Sequence, residues 1–235
     1  MRIVSYLCTR ECQLPPLTFS ERYLKIPFEV CGSPLWGIFN FISMKKILFS
    51  DKFGLTEAVL SGRKTQTRRL IPDCTGVRES PFVLSGLEDN HGYELKPKYK
   101  IGEIVTIAQS YKDAGVNSLP EEDDEFGCYD FPAEQTNGWN NKMFVRADLM
   151  PHQIRITNVR VERLQDISDE DCLKEGLEYC KATNSYDLTS KIGFRFCFHA
   201  DSAREAYALL IDKVSGKGTF EKNPYVFVYD FELVK

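Results

Sequence analysis

The stretch that decides the reading is Ser61-Gly62-Arg63-Lys64-Thr65-Gln66-Thr67-Arg68-Arg69, set between a short helical pattern and Leu70-Ile71-Pro72. It gathers three arginines, one lysine and two threonines around a single glycine. Arginine forks match phosphate and carboxylate geometry bidentately, lysine adds a point charge, and hydroxyls complete such a site. Gly62 tolerates positive φ and lets a ligand approach the backbone closely. The segment reads as a basic loop with an anion site, against the competing reading of a solvated basic turn. Gly62, Arg63, Lys64, Thr65, Thr67, Arg68 and Arg69 are its candidate ligand-binding residues.

Working outward, Met44 to Ser50 predicts a strand, and Leu55 to Leu60 a helix stopped at Ser61-Gly62. Residues 73–98 hold turn formers and short apolar pairs, which predicts short strands and loops. Ile101-Gly102 turns into a β-branched strand through Ala108. Residues 113–142 read as a long acidic loop insertion centred on Glu121-Glu122-Asp123-Asp124-Glu125, either a solvated face or a lid. Met143 to Arg146 predicts another strand, and Gln153 to Leu164 one or two strands with a break near Asn158. Ser168 caps a helix ending near Glu175-Gly176, and Ser202 caps an amphipathic helix from Ala203 to Val214. Tyr225 to Leu233 is a closing aromatic strand. Short strands with two or three flanking helices spell an α+β fold with a strongly curved sheet or small barrel.

Gly62-x-Lys64-x-x-Thr67-x-Arg69 resembles the signature loop of the ASCH family, GxKxxExR, with threonine where many members carry glutamate. The likeness extends in order through Lys46–Phe49, Ile101–Val105, Arg155–Ile167 and Gly218–Val228, and covers residues 44–235, most like phage and prophage members. It implies a PUA-like β-barrel with a cleft beside the loop and a ligand that is RNA, a nucleotide or a modified nucleoside. One small bacterial member is an amidohydrolase on acetylated cytidine that uses lysine, threonine and glutamate. Its lysine falls on Lys64 and its threonine on Thr67, the two catalytic candidates here. Its glutamate falls near Arg155 or Thr157, a departure for which Glu103 or Glu162 would have to substitute. A desolvated lysine taking a threonine hydroxyl proton is sound acyl-transfer chemistry.

Residues 1–43 lie outside this likeness. They hold three of the eight cysteines and no sustained period, so Met44 reads as the true start. Residues 1–43 would then be untranslated or a poorly ordered extension; the alternative is a loosely packed arm. The cysteines form no CxxC pair and the histidines His91, His152 and His199 no ligand spacing, so neither a metal nor a cofactor is implied. Cys172 and Cys197 read as small buried hydrophobes.

Thirty Lys+Arg against 34 Asp+Glu give a net charge of −4, which argues against long duplex DNA and for a short or small ligand. Arg155 joins the candidate ligand residues as a possible extension of the basic patch. Arg155 and Arg163 share strand parity and Arg160 does not, unless a bulge intervenes. Trp139 is the candidate base-stacking aromatic. No apolar run approaches the roughly 20 residues of a membrane span, and no secretory signal is legible, so a cytoplasmic protein is expected. Three functions remain: a binding module for the ligands named above, an amidohydrolase, or a phage-type accessory module docking to protein through its acidic loop.

Overall fold

Ile154 and Ile156 are wholly buried while Arg155 between them and Thr157 after them are exposed, so the strict alternation after Gln153 folds as a strand. In the computed structural model the described residues are 44–71, 76–83, 85–120, 130–189 and 195–234. The readings of residues 1–43 and of the acidic run 121–125 lie outside them. In chain order the elements are β1 (Lys46–Ile47), α1 (Leu55–Leu60), β2 (Gln66–Leu70), β3 (Arg78–Glu79), β4 (Leu87–Glu88) and β5 (Ile104–Ile107). Then come α2 (Tyr111–Ala114), β6 (Ser118–Pro120), β7 (Asp130–Pro132), β8 (Gln153–Arg163), α3 (Asp169–Lys174) and β9 (Glu178–Cys180). The chain closes with β10 (Ser185–Thr189), β11 (Arg195–Phe198), α4 (Ala203–Ser215), α5 (Thr219–Lys222) and β12 (Tyr225–Leu233).

This is a mixed α/β fold of several sheets. The principal sheet has the order β1-β5-β8-β12-β2, with β1 parallel to β5 and the other pairs antiparallel. Among the described residues no closed barrel forms. No described helix is long and apolar enough to cross a membrane.

The long β8–β12 ladder carries one irregularity that decides the site. Asp230 faces Asn158 but Phe231 faces Ile156, which leaves Thr157 as the extra residue of a bulge. Before it, the even residues Ile154 and Ile156 face the core; after it, the odd residues Val159 and Val161 pack there. Asn158, Arg160 and Glu162 are thereby turned to the opposite face. A single strand with a bulge, rather than two strands, is what the disturbed alternation near Asn158 meant.

Three other expectations change. Lys142–Phe144 is a 3₁₀ turn where a strand was expected, with Asn141 Oδ1 accepting from the Met143 amide at 3.0 Å. A side-chain cap offers the backbone a local alternative to a sheet ladder. The expected loop 113–142 opens on α2 and carries the β6–β7 pair. Cys197 is exposed, because strand alternation buries Phe198 and turns its neighbour outward, whereas Cys172 is buried as expected. The helix caps at Ser168 and Ser202 form as read, accepting from the Asp171 and Glu205 amides. Trp139 packs against a small second core with Ala108 and Tyr111. Of the histidines, His91 and His199 are exposed and His152 is half-buried.

Candidate functional site

The basic segment is a loop only as far as Thr65; from Gln66 it is the edge strand β2, paired with β12. It is stitched down on three sides. The Lys64 amide donates to the Ala58 carbonyl at 2.8 Å, the Thr65 amide to Lys174 at 2.9 Å, and the Phe231 amide to Thr65 at 2.9 Å. Gly62 takes φ +75°, as the helix stop required. Strand parity then divides the motif. Gln66 and Arg68 share a face with Asp230, Arg160 and Glu162, while Thr67 and Arg69 lie on the other with Tyr229 and Phe227.

The Gln66–Arg68 face is an ionic lattice. Lys64 is 2% exposed; its Nζ donates to the Glu175 carbonyl at 2.9 Å and contacts the Glu175 carboxylate. Arg68 reaches Glu162 at 3.0 Å, Asp171 at 3.1 Å and Glu175 at 3.4 Å. Arg160 pairs with Asp171 at 2.7 Å, Asp230 at 2.6 Å and also Glu162. Gln66 donates to Asp230 and accepts from Arg68. Four carboxylates thus surround three cations, so this face holds no spare positive charge for a phosphate.

Burial pulls the Lys64 pKa below its ordinary value, though the contact with Glu175 works the other way. Burial also opposes the Arg68 charge, but Glu175 and Glu162 hold its pKa above the ordinary value. Asp171 is held below the usual carboxylate range against its own burial, by Lys174 and Arg68. Gly176, at φ +105°, closes the turn behind Glu175; a Cβ there would stand 3.3 Å from Ala58 Cβ and 3.4 Å from Lys64 Cβ.

The Thr67–Arg69 face differs. Thr67 is 5% exposed, with no side-chain hydrogen bond among the described residues. Arg69 lies 5.5 Å over the Phe49 ring and donates from Nη2 to the Leu48 carbonyl. Its Nε is buried with no partner, and it makes no carboxylate ion pair among the described residues. Burial lowers its pKa, against the pull of Tyr99. Lys64 Nζ stands 5.9 Å from the same Phe49 ring, so the ring is common to both cations.

Of the remaining candidates, Arg63 makes an exposed pair with Glu178 at 3.2 Å. Arg155 pairs with Glu232 at 3.0 Å on the exposed sheet face, not with the segment. Glu103 binds Lys45, and Glu162 is held by Arg68 and Arg160; neither carboxylate contacts Lys64. The carboxylate on Lys64 is Glu175, which sequence reasoning passed over. Its signal was modest: a glutamate at the helix end just before Gly176.

Two cavities lie among the described residues. One of about 670 Å³ lies by Glu79, Ser80, Glu162, Arg163, Asp166 and Tyr225 and includes no residue of the 62–69 segment. The other, about 50 Å³, lies beside α1 and Gln109. This chain matches no known family model, no curated protein and no solved structure.

Proposed function

We propose that this protein binds a small nucleotide or modified nucleoside at the Thr67–Arg69 face rather than a strand of RNA, and that it is an ASCH-type domain of the PUA-like class. The observation that carries the ligand reading is Arg69, a guanidinium held over Phe49 without a carboxylate while Lys64, Arg68 and Arg160 are all neutralised. A buried charge without an ionic partner is costly, and a ligand anion would supply one. Arg63 is the second available cation, since an exposed pair is worth only about 0–1 kcal/mol and exchanges readily. Two cations suit one phosphate and not a polynucleotide track. The family reading is supported by the order of segments, with the motif following α1 and β12 closing against it.

Titration with nucleoside 5′-monophosphates and a single-stranded RNA octamer tests the ligand reading. Arg69→Gln is expected to weaken monophosphate binding at least about tenfold, with a salt slope near one unit in wild type. Unchanged affinity in Arg69→Gln, or RNA binding with a slope of several units, would refute it.

A second reading is favoured by the Lys64–Glu175 contact: amide hydrolysis on an acylated nucleoside. Lys64, with its pKa lowered by burial, would have to pass a proton to Glu175 and turn from the ionic lattice toward Thr67 before, as the neutral amine, it takes the hydroxyl proton. The Thr67 oxygen would attack the acyl carbonyl, the amine would leave with a proton, and water would hydrolyse the resulting ester. Turnover of N-acyl cytidine that vanishes in both Lys64→Ala and Thr67→Ala, with binding kept in the latter, is the expected mark of this activity. Turnover surviving in both would remove it.

A further inference from the structure

The larger cavity, of about 670 Å³, has the size of a small-molecule site and shares no residue with the 62–69 segment. The β3–β4 hairpin, the end of β8, Asp166 and Tyr225 at the start of β12 enclose it. Its apolar wall is Pro81, Val83, Leu87 and Val161. Leu87 belongs to the main core and Val161 packs against it, so that wall is held from behind. Arg163 and Asp166 are exposed, so a ligand reaches them from solvent.

Tyr225 carries a charge of each sign. The Arg163 guanidinium lies 3.5 Å over its ring, and its hydroxyl donates to Glu79 Oε1 at 2.7 Å. Arg163 Nη1 also donates to the Asn223 carbonyl at 3.2 Å, which anchors one arm of the fork and leaves other N–H groups over. Arg163 makes no carboxylate ion pair among the described residues. Glu79 Oε2 and the Asp166 carboxylate have no partner among them either, whereas both oxygens of Glu162 are taken by Arg160 and Arg68. Ser80 is 5% exposed; its Oγ accepts from the Phe82 amide at 3.4 Å, but its proton has no acceptor among the described residues. A buried hydroxyl with an unmatched donor calls for an acceptor in the cavity.

We infer that this cavity is a second binding site, and that it takes a zwitterion with an apolar side chain, a free aliphatic α-amino acid. The ligand carboxylate meets the Arg163 fork and the Ser80 proton. The ammonium donates to Glu79 Oε2 and Asp166, and the side chain lies on the wall of Pro81, Val83, Leu87 and Val161. Neighbouring charges of opposite sign select this class: a simple anion would meet Glu79 and Asp166 unpaired, and a simple cation would meet Arg163. The inference is independent of the nucleotide reading above, because the two sites share no residue.

Calorimetry on the full chain with L-leucine, L-leucinamide, N-acetyl-L-leucine and glycine tests it. Leucinamide lacks the carboxylate, N-acetyl-leucine lacks the ammonium, and glycine lacks the apolar body. Leucine is expected to bind at least about tenfold tighter than each of the three, from the loss of a charge-assisted contact or of a buried side chain. Arg163→Gln is expected to level leucine with leucinamide, and Glu79→Gln to narrow the preference over N-acetyl-leucine. Should a variant fold poorly, the four ligands compared on wild type still decide the matter. No binding of leucine, equal binding of any of the other three, or charge preferences that survive in both variants would overturn the inference.

Discussion

Replacing Glu175 by glutamine uncharges the buried carboxylate that Lys64 and Arg68 share. Lys64 and Glu175 have side chains 2% and 5% exposed, and Glu175 also faces Arg68 at 3.4 Å. Taking the charge from one partner of a buried pair leaves the other uncompensated, at a cost of about 3–5 kcal/mol. Arg63 and Glu178 provide the internal comparison: with side chains 26% and 48% exposed, Glu178→Gln is expected to cost only about 0–1 kcal/mol. For a domain of this size, Glu175→Gln should lower the melting temperature by roughly 6–20 °C. Adding Lys64→Met removes the stranded ammonium, so the double variant should be less destabilised than the sum of the singles by about 1–3 kcal/mol. Urea unfolding at pH 7, followed by tryptophan fluorescence, measures the wild type, the three single variants and the double variant. If Glu175→Gln costs no more than Glu178→Gln, or the two lattice substitutions are additive, the lattice does not hold Lys64 as described.

Asp171 gives an acid test. Its folded pKa lies below the ordinary 3.8, so its stabilising effect is present above that value and lost as pH falls through the folded pKa. Asp171→Asn should flatten the stability profile below pH 4, and an unchanged slope there would contradict the pairing. Thiol chemistry separates two cysteines: burial pushes the Cys172 thiol up to about 12, while hydrogen bonds from Thr183 lower that of Cys180. Iodoacetamide at pH 8 with peptide mapping should mark Cys180 well before Cys172, and equal rates in the native protein would defeat this. Gly176→Ala forces a side chain into φ +105° and against Lys64, and should destabilise by more than about 1 kcal/mol in thermal melts; a neutral result would mean the turn relaxes freely.

Local chemistry made much of the fold legible. Serine caps at 168 and 202, the glycine stop at 62 and the aromatic run from Tyr225 place α3, α4, the end of α1 and β12 within a residue or so of where they form. Short strands were harder. The predicted strand from Met44 to Ser50 pairs only at Lys46 and Ile47, because its single partner β5 matches it over two registers. Whether a strand extends is set by a neighbour about 60 residues away, and no local pattern records that.

The site was less legible for a related reason. A run of cations looks like an anion trap when its own neighbours are the only context. The carboxylates that neutralise Lys64 and Arg68 come from β8, from α3 and from Glu175 at its C-cap, 94 to 111 residues downstream. Even Arg160 could be assigned a face only once the bulge at Thr157 was known, since one extra residue exchanges the two faces of everything beyond it. Arg68 and Arg69 are adjacent and chemically identical in sequence, yet one is locked among three carboxylates and the other meets a ring and a carbonyl. The roles proposed for this segment therefore rest on parity rather than on charge density. It follows that Arg68→Gln should act first on stability and Arg69→Gln first on ligand affinity, a separation that composition alone would never suggest.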